Sequence, residues 1–355
     1  MFRRSGRGPI RLQGPLPHGR PPRGGAVVSV PLPEIKGVSW RAATRDDAEA
    51  IAALQHACFI ADDSFSETAA QIADRFNSPM SKVETDTLLA VRDDGTVLVS
   101  LWNQLVPEPV EAWKVYDENF IHPQHRTPEL MEFALAWWMN RGAERVATTD
   151  INLPIRYHQV VFPTRPDKRK LLEAHGYEAS MFIDELRRDL SEPIEDFSLP
   201  DGLRLVAFDD VPTEDALAVR NDAFRDHRGS QPWTLEMWEA RSVEMQRPDA
   251  SFAVMEDDRP VSYVMSAVYP DDWEARGYTE GWVEGLGTAR SHRGRGLASF
   301  LITESMKAFR DSGLDYATLG VDSENPTGAV GLYRRLGFEK VRGFAEYTKT
   351  VDRAT

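Results

Sequence analysis

Apolar positions divide the chain into elements before any chemistry is considered. Between Gly281 and Phe338 the pattern predicts a strand (281–289), a basic glycine loop, a helix, a second strand (316–321) and a short helix. Leu297, Phe300, Leu301, Ala308 and Phe309 recur at helical spacing, which predicts one buried face on a helix reaching about Ser312 and stopping at Gly313. Asn325-Pro326 predicts the start of the short helix, with Asn as N-cap and Pro at the first helical position. Gly337 would end it in the left-handed conformation.

A similar order occurs earlier in the chain, offset by about 165 residues, a period suited to two tandem domains rather than a solenoid. Residues 53–59 parallel 218–224, and His175-Gly176-Tyr177-Glu178 parallels Leu336-Gly337-Phe338-Glu339. Each half opens with a short strand and a helix after an acidic start. Each continues with a hairpin, 87–92 with 97–102 and 251–256 with 260–267. The segment Ser191 to Gly202 joins them, so we divide the folded chain into 38–198 and 199–355.

Residues 1–37 are rich in Arg, Pro and Gly and cannot bury enough apolar surface to offset their ordering entropy; they are expected to be a disordered N-terminal extension. They contain no continuous apolar segment of the kind a secretory signal needs, so none is expected. The net charge is −14; the first 37 residues carry +6, which leaves −20 on the rest and argues against nucleic-acid binding. No apolar run approaches a membrane span. Cys58, the one cysteine, excludes an internal disulfide and fits core packing in a reducing cytoplasm. His122, His125 and His158 lack metal-like spacing, so no metal is expected.

Arg293-Gly294-Arg295-Gly296-Leu297-Ala298 carries the candidate chemistry. Two glycines let the backbone turn tightly. The amides that follow, through Ser299, open a helix and aim their N–H groups and the positive end of its dipole at one spot. This is a pyrophosphate cradle; the plain alternative is a basic surface turn. The pattern is neither a Walker A loop nor the Gly-x-Gly-x-x-Gly dinucleotide fingerprint.

Arg-x-x-Gly-x-Ala after a strand, followed by Asn325, Ala329, Leu332-Tyr333 and Leu336-Gly337-Phe338, resembles the GCN5-related N-acetyltransferase (GNAT) superfamily over some sixty residues. The resemblance implies an α/β fold of two GNAT-like domains, each a mixed, mostly antiparallel sheet flanked by helices. It also implies a cleft between splayed strands, here 281–289 and 316–321, for acetyl-CoA as co-substrate. The main chains of Leu286, Gly287 and Thr288, and Asn325, match positions that contact the pantetheine arm. Tyr333 matches the family's general acid, its alternative being a packed core tyrosine. Glu284, which strand alternation places on the side of Trp282, Leu286 and Thr288, is the candidate general base; the alternative is a glutamate pointing to solvent.

In the first half the loop reads His122-Pro123-Gln124-His125-Arg126-Thr127-Pro128-Glu129. Arg126 matches Arg293, but Glu129 stands where Gly296 should be. We expect a degenerate half without ordinary acetyl-CoA binding, which packs on the second and walls the acceptor site. His227, Arg228 and Trp233 lie in a loop where GNAT acceptors often bind.

These expectations describe a cytoplasmic N-acetyltransferase, monomeric or homodimeric, that moves acetyl to a primary amine of a small molecule by direct attack. The layout resembles that of mycothiol synthases, which makes an amino-sugar–cysteine conjugate an alternative acceptor. A non-catalytic acyl-CoA sensor, or a scaffold whose first half binds a protein, are the competing classes.

Overall fold

A computed structural model describes residues 31–226, 230–239, 246–324 and 328–353. The first half of the chain supplies strands β1 (Val38–Arg41), β2 (Thr87–Arg92), β3 (Val97–Leu105), β4 (Trp113–Asp117), β5 (Phe120–Ile121), β6 (Ile155–Val161) and β7 (Glu178–Asp189). The second supplies β8 (Leu203–Ala207), β9 (Phe252–Glu256), β10 (Arg259–Val268), β11 (Glu280–Thr288), β12 (Tyr316–Asp322) and β13 (Glu339–Val351). Helices α1 (Ala48–Asp62), α2 (Ala69–Arg75), α3 (Val83–Asp86), α4 (Pro128–Ala147) and α5 (Pro166–Ala174) belong to the first half. In the second half they are α6 (Thr213–Ala223), α7 (Leu235–Glu239), α8 (Pro270–Arg276), α9 (Leu297–Asp311) and α10 (Ala329–Arg335).

These strands form one mixed, mostly antiparallel sheet in the order β1-β2-β3-β4-β6-β13-β7-β12-β11-β10-β9-β8, with β5 paired to β3. The order is symmetric about its middle, because each half seats its last strand in the other half's sheet. β7 pairs with β12 from Asp189↔Tyr316 to Ile183↔Asp322, and β13 pairs with β6 from Val351↔Ile155 to Ala345↔Val161. At the centre β7 and β13 pair with each other.

Packing explains the exchange. Leu186 and Leu190 lie in the second-half core with Phe309, Leu319 and Phe338. Tyr347 lies in the first-half core with Trp138, Tyr157 and Leu172. Each last strand therefore buries its apolar side chains across the midline, and withdrawing either would open the core of the other half. A buried ion pair reinforces the junction: Arg342 Nε donates to Glu185 Oε2 at 2.6 Å, and Arg342 Nη1 donates to the carbonyl of Asp63 at 2.7 Å.

The amphipathic helix expected after the glycine loop is α9; Leu297, Phe300, Leu301 and Phe309 are buried, and Gly313 follows with φ +83°. The short helix α10 is preceded by Gly328 in the left-handed conformation. The expected N-cap Asn325 and Pro326 lie outside the described residues, as do residues 1–30 of the N-terminal extension. No described helix is long and apolar enough to cross a membrane.

Candidate active site

The site begins where two parallel strands part. β11 and β12 pair only from Glu280↔Tyr316 to Val283↔Leu319, although β11 continues to Thr288 and β12 to Asp322. The unpaired stretches diverge and leave a gap inside the sheet.

A β-bulge sits at the mouth of that gap. Along β10 and β11, Ser266 faces Val283 and its neighbour Met265 faces Gly285, so Glu284 is the extra residue. The bulge reverses the alternation beyond it. Val283 and Leu286 pack in the same core as α9. A Cβ on Gly287 would lie 2.5 Å from the Tyr263 ring and 3.0 Å from Ala223 of α6, on the opposite side. Trp282 therefore does not share a face with Leu286 and Thr288, contrary to simple alternation, and Glu284 is the residue that absorbs the change. The corresponding stretch of the first half keeps its register, with Asn103↔Asp117 and Ser100↔Phe120.

Gly294 and Gly296 take φ of +76° and +79°, a region L side chains avoid. Gly296 is the N-cap of α9, and no side chain caps this terminus. The amides that begin α9 thus keep no intrahelical partner. They open on a cavity of about 470 Å³ lined by Leu297, Ala298 and Ser299 on one side and by Leu286, Gly287 and Thr288 on the other. Arg293, Gly294 and Gly296 complete its loop side, and Leu332 and Tyr333 of α10 close it.

Arg293 lines this cavity while tied to the end of α6, with Nη2 donating to the Ala223 carbonyl at 2.7 Å and Nη1 3.1 Å from Asp226 Oδ2. Arg295 does not line it; its Nη1 lies 3.5 Å from Glu256 Oε1. Arg335, two residues beyond Tyr333, does line it and was missed in the sequence. Its only signal was a basic helix end, which also reads as dipole compensation. Trp233 packs on Trp238, with Arg220 4.3 Å above its ring, and is not brought to the cavity. His227, Arg228 and Asn325 lie outside the described residues.

Tyr333 is 8% exposed, and burial pushes its pKa up to about 12. Its ring packs edge-on to Phe338, and no described residue hydrogen-bonds its hydroxyl. Glu284 is exposed and does not line the cavity that Tyr333 closes. Solvent reaches its carboxylate, yet protein surrounds it closely enough to raise its pKa, an effect opposed by the Tyr269 hydroxyl donating to Oε1 at 2.8 Å. Burial, with Glu284 beside it, raises the Tyr269 pKa in turn.

The first-half counterpart is occupied by its own side chains. Both guanidinium Nη atoms of Arg126 donate to Asp62 at 2.7 Å, and Nε donates to the Ile121 carbonyl. The Thr127 hydroxyl caps α4 by accepting from the Leu130 amide, Pro128 offers no N–H, and Glu129 places a carboxylate in the first turn. A polar cavity of about 270 Å³ persists there. Within it Arg75 Nη1 lies 3.0 Å from Glu118 Oε1, and burial raises the Glu118 pKa. Cys58, at the same cavity, is buried and its thiol pKa is pushed up.

Parallel strands that part beside a helix start form a transferase type of scaffold, built twice; that helix start is entered by glycine and left without a side-chain cap in the second half, and capped by Thr127 in the first. A model of the acetyltransferase (GNAT) family matches residues 214–338. Mycothiol acetyltransferase of Salinispora arenicola is 34% identical over 236 residues, 66% of this chain and 72% of that protein. The corresponding protein of Salinispora tropica is 34% identical over 174 residues, 48% of this chain and 56% of that one. Among solved structures, a GCN5-related N-acetyltransferase from Sphaerobacter thermophilus superposes with a TM-score of 0.66 at 23% identity, over 90% of this chain and 98% of the other. A tandem GNAT protein from the clavulanic acid biosynthesis pathway gives 0.59 at 14%, over 90% and 100%. The chain belongs to the GNAT acetyltransferase family.

Proposed function

We propose that this acetyltransferase moves the acetyl group of acetyl-CoA to a primary amine of a small molecule by direct attack. The observation that carries the reading is the single open cradle: α9 begins behind left-handed Gly296 with no side chain on its amides, at a cavity shared with the Tyr333 side chain. The residues fit the co-substrate. Amides at the start of α9, with Arg293 and Arg335, suit a pyrophosphate. The free main chain of Leu286 to Thr288, past the point where β12 departs, suits the pantetheine arm.

Glu284, directly or through water, takes the proton from the acceptor ammonium. Its raised pKa brings it nearer to neutrality, where a base is most effective. The amine then attacks the thioester carbonyl. Tyr333, whose hydroxyl is held protonated by burial, donates to the departing thiolate. A covalent acyl-cysteine is excluded in this half, because Cys58 belongs to the first. The capped start of α4 and the closed Arg126–Asp62 pair in the first half support a reading of one acetyl-CoA site, in residues 199–355.

A second reading takes an amino-sugar–cysteine conjugate as the acceptor, and it is favoured by the names of the relatives. Both readings are tested by following free-thiol release from acetyl-CoA across amino sugars, their cysteine conjugates, polyamines, amino acids and simple alkylamines. Release with no amine at all, despite acetyl-CoA binding, would return the chain to the class of acyl-CoA sensors.

A further inference from the structure

Gly320 has no packing reason to be glycine. Gly281, in the neighbouring strand, must be glycine because a Cβ there would lie 2.5 Å from the Phe309 ring. At Gly320 a Cβ would meet only Ile183 Cγ2, at 3.6 Å, which is ordinary contact. Yet Gly320 is exposed, although β12 lies deep within the sheet between β7 and β11. It sits just past the last β11–β12 pair, where the strands part.

Strand registers show what surrounds this exposed position. Thr318 pairs with Trp282 on β11, Gly320 pairs with Glu185 on β7, and Ile183 pairs with both Asp322 and Phe344. Glu185 turns to Arg342 on this side of the sheet. Phe65, from the loop after α1, reaches across the midline over the same row. Its ring lies 5.4 Å from that of Phe344, 6.4 Å from that of Trp282, and 5.4 Å from the Arg342 guanidinium.

The loop is held on both sides of the ring. The Asp63 carbonyl accepts from Arg342, and the Ser66 hydroxyl donates to Asp272 Oδ1 at 2.9 Å. Phe65 nevertheless remains 40% exposed. An aromatic ring anchored this firmly and left uncovered is poised for a partner. At the other end of the row the Tyr269 ring lies 6.3 Å from Trp282, with its hydroxyl on Glu284.

We propose that the exposed face of β12 at Gly320, with the Phe65 and Trp282 rings beside it, receives the body of the acceptor, and that the acceptor is an arylalkylamine, a primary amine carried on an apolar, ring-sized group. The inference rests on Glu284 being the base that meets the amine. Rings on the wall favour a flat apolar body, and the ammonium gains from the faces of Trp282 and Tyr269 as it approaches Glu284. Glu185 and Arg342 are engaged with each other, and Arg342 with Asp63, which leaves Arg342 Nη2 without a protein partner but gives the several hydroxyls of an amino sugar few partners on this face.

The test is thiol release from acetyl-CoA by the full chain with phenethylamine and with glucosamine. Phenethylamine is expected to give the higher kcat/KM, by about tenfold or more. Phe65→Ala and Gly320→Leu should each lower kcat/KM for phenethylamine by about tenfold through the amine's KM, while the KM for acetyl-CoA stays put. Phe65→Leu should fall between wild type and alanine, and Gly320→Ala should fold normally because its Cβ fits; melting curves check both. Preference for glucosamine, or folded Phe65→Ala and Gly320→Leu enzymes with an unchanged amine KM, overturns the inference and leaves acetyl transfer standing. No release with either amine or with any other, despite acetyl-CoA binding, overturns both.

Discussion

Substituting Gly296 separates the two properties that make the cradle. At φ +79° a side chain pays the left-handed cost, about 1–2 kcal/mol, although a Cβ there meets no atom within 4 Å. Gly296→Ala should therefore lower stability by about that amount, and weaken acetyl-CoA binding by no more than about tenfold if the strain is relieved by shifting the loop. Gly296→Glu adds a carboxylate beside the pyrophosphate. Two like charges about 4 Å apart, at an effective dielectric of about 20, repel by about 4 kcal/mol, or roughly a thousandfold in affinity. Calorimetric titration with acetyl-CoA reads the affinities, and thermal melts read the strain. The two variants should melt alike and bind very differently. A Gly296→Glu protein that keeps wild-type affinity would place the cradle elsewhere. The converse change, Glu129→Gly, should not create a second site, because Thr127 and the Arg126–Asp62 pair still occupy that terminus.

Titration of the native chain should give one acetyl-CoA per monomer; two comparable sites would refute the closed reading of the first half. Tyr333→Phe keeps ring volume and its contact with Phe338, so melting should barely move while the single-turnover rate falls about a hundredfold. An unchanged rate would make Tyr333 a packing residue. Glu284 must be ionised to act as a base, so wild-type activity should fall as pH drops through its raised pKa, and the deficit of Glu284→Gln should shrink at high pH, where the amine loses its proton unaided. The stability sign is opposite to that of a salt-bridged carboxylate: the folded state holds this proton more tightly than the unfolded chain, so the group costs stability as pH rises, and Glu284→Gln should flatten that slope. Residues 199–355 expressed alone lack β7, which leaves an edge of β12 unpaired and β13 without either neighbour; the fragment should aggregate, and a monomeric, cooperatively melting fragment would contradict the exchange.

Along 281–338 the sequence alone determined a good deal. The turn through Gly294 and Gly296 and the start of α9 at Leu297 were legible because their geometry is local: glycine permits the left-handed turn, and the first amides of a helix have no intrahelical partner. The burial of Tyr333 was legible because Ala329 and Leu332 of the same short helix share its apolar side. The hairpins and α9 followed from periodicity, which depends on near neighbours. Only the tertiary structure decided the rest. The bulge that isolates Glu284 exists because β10 and β11 pair out of step, and no single strand records its partner's register. Arg335 reads as an ordinary helix end until the fold brings α10 to the cavity. The exchange of β7 and β13 is settled by which core receives Leu186 and Tyr347, a choice between apolar surfaces far apart in the chain. Phe65 and Trp282 are far apart in the chain, and only the tertiary fold brings their rings within 6.4 Å. Local backbone preference can be read residue by residue, whereas pairing and packing are competitions among distant surfaces whose outcome belongs to the whole fold.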